Sequence, residues 1–158
     1  MGSRLHGIFG LVVSLALAYG AGFLGSLATA PAIDTWYATL AKPELSPPNW
    51  VFAPVWTTLY AFMAIAAWRV YRVGNACSRR ALRIYGAQLV LNACWSFAFF
   101  GLKNPSLGLF VIIALLALIL ITAWQFYRVD RIAGYLFIPY ILWVTFATYL
   151  NFALMRLN

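Results

Sequence analysis

The spacing of the charged residues constrains this chain more than any other feature of its sequence. Lys, Arg, Asp and Glu make up only 9% of the 158 residues, whereas a soluble domain is about one-quarter charged. A helix that crosses the core of a bilayer needs about 20 mostly apolar residues. Five uncharged stretches are each at least 19 residues long: 5–33, 45–68, 84–102, 104–127 and 132–155. The chain is therefore predicted to be an integral membrane protein.

The five stretches are predicted to be helices and not strands of a barrel. Inside a bilayer, backbone N–H and C=O groups must pair within the protein, so only helices and closed barrels can span it. Barrel strands alternate apolar and polar residues, and these stretches do not. The sequence thus predicts the all-α class, as one domain over residues 1–158 with five transmembrane helices. The predicted bounds of the spans are about 5–27, 47–69, 82–102, 104–127 and 132–155.

The basic residues predict how the bundle is oriented. A net charge of +8 can indicate a nucleic-acid partner, but most of these charges fall on one side of the predicted bundle, so no such partner is expected. Cytoplasmic loops carry an excess of Lys and Arg, which predicts a cytoplasmic N-terminus and an outer C-terminus. The outer side holds Lys42, Lys103 and Arg156. The inner side holds Arg4, Arg69, Arg72, Arg79, Arg80, Arg83, Arg128 and Arg131.

The longest predicted loop joins the first and second spans, over residues 28–46. Its prolines, beginning with Pro31, disfavour a continuing helix. Trp36 and Tyr37 lie in this loop, where they can occupy the membrane interface or fold over the mouth of the bundle. A loop of this length on a compact bundle is more often functional than not.

Other prolines predict where helices begin and bend. Pro47 and Pro48 suit the first turn of the second span, where a missing N–H has no consequence, and Pro105 suits that of the fourth. Pro139 lies inside the fifth span and is predicted to kink it.

Groups that commonly perform acid–base catalysis are absent from the interior of every predicted span. The single histidine, His6, lies near the N-terminus. General acid–base catalysis normally uses His, Asp, Glu or Lys, and ion-coupled carriers place ionisable residues in the membrane. The sequence therefore argues against an ion-coupled transporter, a rhomboid-type protease and a metalloprotease. It contains no Cys/His cluster that predicts a metal site.

Aromatic and amide side chains recur along one face of three spans. Those in the third span are spaced i, i+4, i+7 and i+11, which places them on one side of a helix. An amide that faces lipid is costly, so this side is expected to face the interior of the bundle. The residues are Gln88, Asn92, Trp95 and Phe99 in the third span, Trp56, Tyr60 and Met63 in the second, and Tyr140, Trp143 and Ala147 in the fifth.

The pattern alone leaves two interpretations of these stripes open. The first is an apolar cavity beneath the 28–46 loop, suited to a flat, hydrophobic ligand. The second is packing, because aromatic stripes usually pack and interhelical amide hydrogen bonds contribute about 0.6 kcal/mol on average. Trp56, Trp95 and Trp143 lie at similar depth, roughly 10–18 Å from the outer ends of their helices, which an interfacial aromatic belt does not explain.

Three motifs spread over the chain resemble those of a known family. They are Trp36-Tyr37-x-x-Leu40-x-Lys42-Pro43-x-x-x-Pro47-Pro48-x-x-x-Phe52-x-x-x-Trp56-x-x-Leu59-Tyr60, Leu91-Asn92-x-x-Trp95-Ser96, and Pro139-Tyr140-x-x-Trp143-x-x-x-Ala147-Thr148-x-Leu150-Asn151. Together they resemble the TspO/translocator protein family, also called tryptophan-rich sensory proteins or peripheral benzodiazepine receptors. The resemblance extends over all five spans, in order. The chain looks like a bacterial member of the family.

The resemblance implies a receptor or sensor in the bacterial cell membrane, usually a homodimer, with a role in porphyrin regulation or transport. It implies binding of tetrapyrroles (protoporphyrin IX and haem), of sterols such as cholesterol, and of benzodiazepine-site drugs. Porphyrin or haem is then a ligand, and no cofactor is expected. The pocket residues that it implies are Trp36 or Tyr37, Pro47, Trp50, Trp56, Tyr60, Asn92, Trp95, Trp143 and Ala147.

Two other functions stay open. Some bacterial members of the family are reported to degrade porphyrin in light, with tryptophans that match Trp56 and Trp143, so the resemblance leaves an enzymatic photo-oxidation possible. A structural or assembly protein, in which the stripes only pack, is the other. High-affinity cholesterol binding is not expected, because six residues separate Tyr149 from Arg156, one more than the family's weak sterol motif allows.

Overall fold

A computed structural model describes residues 2–158, with side chains from Gly7 onward, so the expectations for Arg4 and His6 lie outside the described side chains. Over these residues the chain forms six α-helices: α1 (Gly2–Ala32), α2 (Phe52–Val73), α3 (Ala76–Ser96), α4 (Pro105–Val129), α5 (Arg131–Tyr135) and α6 (Ile138–Leu157). Within the same part of the chain, five segments are long and apolar enough to cross a membrane: Gly7–Tyr37, Asn49–Val73, Ala76–Gly101, Pro105–Val129 and Arg131–Leu157. The predicted class is confirmed: the chain is an all-helical, multi-pass membrane protein.

The bundle buries amides among apolar and aromatic residues, and it leaves many other large apolar residues on its surface. Phe9 and Phe23 on α1 and Phe110 on α4 are largely exposed, whereas Met63 and Gln88 are fully buried. This distribution suits lipid as the solvent, because the outer surface needs no polar groups there. The helices follow one another around the bundle in the order α2, α1, α3, α4 and α6, and α5 packs against α2.

The first helix continues well beyond its predicted end. Helix α1 includes Pro31 and passes into a π-helical turn at Ile33–Tyr37, so the predicted loop is wrong for residues 28–39. Pro31 lacks only the N–H that would donate to the carbonyl of Leu27, so it removes one hydrogen bond and does not end the helix here. The hydroxyl of Thr35 also donates to the carbonyl oxygen of Pro31 at 2.7 Å. The irregular segment that joins the first two spans is therefore only residues 40–48.

The second span begins differently from the prediction. Pro48 is the N-cap of a short 3₁₀ turn at Asn49–Val51, and α2 follows from Phe52. The proline within the first turn of α2 is therefore Pro54. An N–H group at this position would have no acceptor within the helix, so its absence costs no helical hydrogen bond. Pro105 does begin α4, as predicted.

The fifth span is interrupted and not merely kinked. Helix α5 ends at Tyr135 and α6 begins at Ile138, so Pro139 falls in the first turn of a new helix. Pro139 has no N–H to donate to the carbonyl of Tyr135, and a continuous helix would lose that hydrogen bond. The N–H of Phe137 instead donates to the carbonyl oxygen of Gly134 at 3.1 Å, closing a tighter turn.

An ion pair joins α2 to the start of α5. The Nε and Nη2 atoms of Arg69 donate to the two carboxylate oxygens of Asp130 at 3.2 and 2.9 Å. Asp130 also caps α5, because it accepts from the N–H of Ala133 at 2.9 Å. Partial burial alone would raise the pKa of the Asp130 carboxyl, but the hydrogen bonds from Arg69 and Ala133 outweigh it and hold that pKa below its usual value.

Candidate functional site

A cavity of about 310 Å³ lies between the helices, beneath the end of α1. This volume is at the lower end of the range for small-molecule sites. Side chains from α1, α2, α3 and α6 line it, as do the helical turns at Ile33–Tyr37, Asn49–Val51 and Phe97–Gly101, the last of which is a π-helical turn that follows α3. None of the described lining residues is ionised at neutral pH. Its aromatic and amide residues are Tyr37, Asn49, Phe52, Trp56, Tyr60, Asn92, Trp95, Phe99, Phe100, Trp143 and Asn151.

A chain of buried hydrogen bonds forms the floor of the cavity. The hydroxyl of Tyr60 donates to Asn92 Oδ1 at 2.6 Å, and Asn92 Nδ2 donates to the hydroxyl of Tyr140 at 3.0 Å. Tyr140 donates in turn to Gln88 Oε1 at 2.9 Å, and Gln88 Nε2 lies 3.5 Å from the sulfur of Met63. The amide face of the third span therefore faces inward, as predicted, and it ties α2, α3 and α6 together.

One wall of the cavity is formed by Trp56. Its ring stacks on that of Tyr60, with 5.6 Å between centroids and 29° between planes. The edge of the same indole meets Tyr140, whose ring lies 6.2 Å away at 70°. Because both partners belong to the hydrogen-bonded floor, the floor also sets the orientation of this indole.

A second wall is formed by Trp95, which is fixed at both of its ends. Its Nε1 donates to Asn151 Oδ1 at 3.1 Å, and its ring stacks on Phe99 at 5.6 Å and 26°. Asn151 is itself held, because its Nδ2 donates to the carbonyl oxygen of Pro105 at 2.7 Å. The start of α4 thus positions a side chain of α3 through a residue of α6.

Trp143 separates the cavity from a lipid-facing groove between α2 and α6. It lines both spaces, and its ring meets the edge of Phe52 at 5.8 Å and 72°. Its Nε1 is buried and has no hydrogen-bond partner among the described residues. An unpaired buried donor costs about 1–3 kcal/mol, so an acceptor on a bound ligand would be favourable here.

The end of α1 forms the roof of the cavity. Tyr37 is only 6% exposed and packs on Phe100, whose centroid is 5.6 Å away. The Nζ of Lys42 lies 4.8 Å from the centroid of the Tyr37 ring. Beside it, the side chain of Asn158 accepts from the N–H of Ala41 at 3.0 Å and donates to its carbonyl oxygen at 3.1 Å.

The cavity is open between the ends of α1 and α2 that lie beside the roof. The lining residues Ser26, Ala30, Asn49 and Ala53 are exposed and mark this opening. Deeper along α1, a Cβ at Gly22 would lie 2.5 Å from the Tyr60 ring. Glycine at this position therefore lets the floor of the cavity approach α1 closely.

Seven of the ten residues predicted for the site surround the cavity: Tyr37, Trp56, Tyr60, Asn92, Trp95, Trp143 and Ala147. The other three do not line it. Trp36 packs on Phe99 at 5.5 Å, Trp50 is 74% exposed, and Pro47 lies in the segment before the 3₁₀ turn. Binding by any of the ten stays a prediction.

Sequence reasoning did not assign several lining residues to the site. Asn151 is part of the third motif, but only the structure shows that it holds Trp95 in place. Gly22 and Ser26 recur at helical spacing on α1, a pattern that marks close approach without saying which side chain approaches. Phe52 gave no signal beyond its place in the first motif.

Comparison with known proteins reveals similarity along nearly the whole chain. The model of the TspO/MBR family matches residues 12–157. The tryptophan-rich sensory protein of Cereibacter sphaeroides is 45% identical over 125 residues, which are 79% of this chain and 78% of that protein. The tryptophan-rich protein TspO of Archaeoglobus fulgidus is 41% identical over 96% of this chain and 98% of its own. The human translocator protein is 35% identical over 78% of this chain and 75% of its own.

Proposed function

The chain belongs to the TspO/MBR family, and from this premise we propose that it is a membrane receptor for tetrapyrroles such as protoporphyrin IX and haem. The ligand binds in the cavity between the helices, and the protein senses its level or passes it on. Relatives named as a sensory protein and as translocator proteins support this role. Sterols and benzodiazepine-site drugs are further ligands of the same cavity, and the protein acts as a homodimer in a bacterial cell membrane with its N-terminus in the cytoplasm.

The observation that carries this proposal is the convergence of three indoles over a neutral, hydrogen-bonded floor. Trp56, Trp95 and Trp143 come from three different helices and line one cavity. Their faces and edges suit a flat aromatic ligand, since each favourable aromatic pair contributes about 0.5–1.5 kcal/mol beyond its buried area. Packing alone does not require a cavity at this point. Because the enclosed space is about 310 Å³, a tetrapyrrole extends through the opening beside the roof.

The test is a titration of the purified protein in detergent with protoporphyrin IX in the dark, followed by tryptophan quenching and porphyrin absorbance. Trp143→Phe and Asn92→Ala should each weaken binding by about 2 kcal/mol, roughly thirtyfold. Trp124→Phe is the matched control, because Trp124 is 61% exposed and does not line the cavity. Absence of saturable binding, or equal affinity in all four proteins, would rule out the cavity as the site.

Porphyrin degradation in light is a second candidate function, favoured by the contacts of Trp56. Its indole lies against two phenols, Tyr60 and Tyr140, which share the hydrogen-bonded floor. Such a cluster can donate an electron to a bound, excited porphyrin; the reduced porphyrin then passes that electron to dioxygen, which becomes superoxide, and an oxidised indole or phenol is left in the cluster. If this occurs, porphyrin absorbance should fall in light and oxygen, and Trp56→Phe should slow that fall more than it weakens binding in the dark. Equal rates in the variant and the wild type would reject this candidate.

A further inference from the structure

Lys42 places a positive charge against the roof of the cavity. Its Nζ lies 4.8 Å from the ring centroid of Tyr37, a lining residue. Among the residues that the structure describes, the only ion pair joins Arg69 and Asp130, so no carboxylate of this part of the chain neutralises Lys42. Lys42 is an exposed residue, so its ammonium group is available to an anionic group that arrives at the roof of the cavity.

The backbone beside this lysine is held in place. The side-chain amide of Asn158 makes two hydrogen bonds with Ala41, one to its N–H and one to its carbonyl oxygen. A third, from Asn158 Nδ2 to the carbonyl oxygen of Leu154 at 2.9 Å, anchors that amide to α6. Since Leu154 also lines the cavity, the segment that carries Lys42 is clamped to the cavity wall. A lysine whose neighbouring backbone is held in this way loses less conformational entropy when it binds a ligand.

The cavity itself offers an anion no opposite charge. Its described lining residues carry no charge, and a charge within apolar surroundings is strongly disfavoured unless it is paired. An acidic ligand can therefore enter only with its apolar body first, leaving its acid group at the roof. The small volume of the cavity leads to the same orientation, because one end of a large ligand stays outside.

We propose that Lys42 binds a carboxylate of the ligand, so that the site selects flat, apolar molecules that carry an acid group at one edge. This inference rests on the proposed function and adds to it a preference for charged over neutral forms of the same molecule. The ring of Tyr37 and the clamp from Asn158 position the lysine, and the lysine makes the contact.

The test compares protoporphyrin IX, which carries two propionates, with its dimethyl ester, which has the same macrocycle without the charges. Both are titrated against the wild type, Lys42→Met and Lys103→Met, the last being an exposed lysine outside the cavity lining. Lys42→Met should weaken binding of the acid by about three- to tenfold. It should leave binding of the ester within about twofold, and Lys103→Met should change neither.

Salt and a second variant sharpen this comparison. Raising the KCl concentration from about 0.05 to 0.5 M should weaken binding of the acid to the wild type, and much less to Lys42→Met. Asn158→Ala keeps the lysine but removes the clamp, so it should weaken acid binding by a smaller factor and spare the ester. Unchanged ester binding in each variant also shows that the fold is intact.

The outcomes separate this inference from the function on which it rests. If the wild type binds acid and ester equally, or if Lys42→Met weakens both alike, the inference is wrong and the cavity remains the ligand site. If the wild type binds neither compound, the proposed function fails and the inference fails with it.

Discussion

The hydrogen bond between Tyr60 and Asn92 offers the sharpest test of the cavity floor. Removing the hydroxyl in Tyr60→Phe leaves Asn92 Oδ1, in a residue only 3% exposed, without its 2.6 Å donor. An orphaned buried acceptor costs about 1–3 kcal/mol. Interhelical hydrogen bonds in membranes contribute less, up to about 1.7 kcal/mol, because the unfolded state in lipid also finds partners. We therefore expect a loss of about 1 kcal/mol in the free energy of unfolding.

A double-mutant cycle isolates this bond from other effects of the two substitutions. Tyr60→Phe, Asn92→Leu and the double variant are unfolded with SDS in mixed micelles, and the loss of helix is followed by circular dichroism. The losses in the free energy of unfolding of the two single variants should add up to about 1 kcal/mol more than the loss of the double variant, because the second substitution no longer removes the bond.

The control pairs Tyr60→Phe with Trp68→Phe, which removes a separate hydrogen bond to the carbonyl oxygen of Gly7. Residue 68 lies two turns farther along α2, about 12 Å away, so these two losses should add to within about 0.5 kcal/mol. A Tyr60–Asn92 coupling no larger than that of the control pair would refute the hydrogen-bonded floor.

Three further predictions follow from other parts of the structure. Gly22→Ala should destabilise the protein by about 1–3 kcal/mol and weaken porphyrin binding in the titration, because the added Cβ would lie 2.5 Å from the Tyr60 ring. Gly20→Ala is the control and should have neither effect, because a Cβ there meets nothing within 4 Å. Asp130→Asn keeps a cap for α5, but it should lower the free energy of unfolding by about 0.5–1 kcal/mol above about pH 4. Because the folded pKa of Asp130 is lowered, the wild type should lose this advantage as the pH falls through that pKa. SDS unfolding curves of the two proteins that differ equally at all pH values would contradict this account. In a Cys94→Ala background, the exposed Cys77 should react with an impermeant maleimide only from the cytoplasmic side, and labelling from outside would reverse the predicted orientation.

The spans and the inward face of α3 could be predicted because lipid imposes both. A charge or an unpaired amide is so unfavourable in hydrocarbon that its position reports on the fold directly. Gln88 and Asn92 had to face the interior, and the structure buries both. The helical rise from the ends of the spans predicted that Trp56, Trp95 and Trp143 lie at one depth, and all three line the same cavity.

The ends of the helices and the outer residues of the site could not be predicted in this way. Pro31 removes one hydrogen bond, and whether the helix stops or widens into a π turn depends on what the next turn packs against, here Phe99 and Phe100. The direction of Trp50 depends on the 3₁₀ turn that carries it, and aromatic residues near an interface are common with or without a ligand. Interior positions were therefore predicted more accurately than those at the rim.

The buried amides of α3 also have a consequence for how the chain enters the membrane. This helix is the least apolar of the five spans, and during synthesis it reaches the bilayer before the helix that completes its hydrogen bonds. Asn92 and its partner Tyr140 are 48 residues apart in the sequence, which a ribosome needs roughly 2–10 s to translate. During that interval α4 joins α1 and α2 in packing against α3, but the two amides stay without Tyr140 until α6 emerges, so α3 is expected to be held less firmly until that helix arrives.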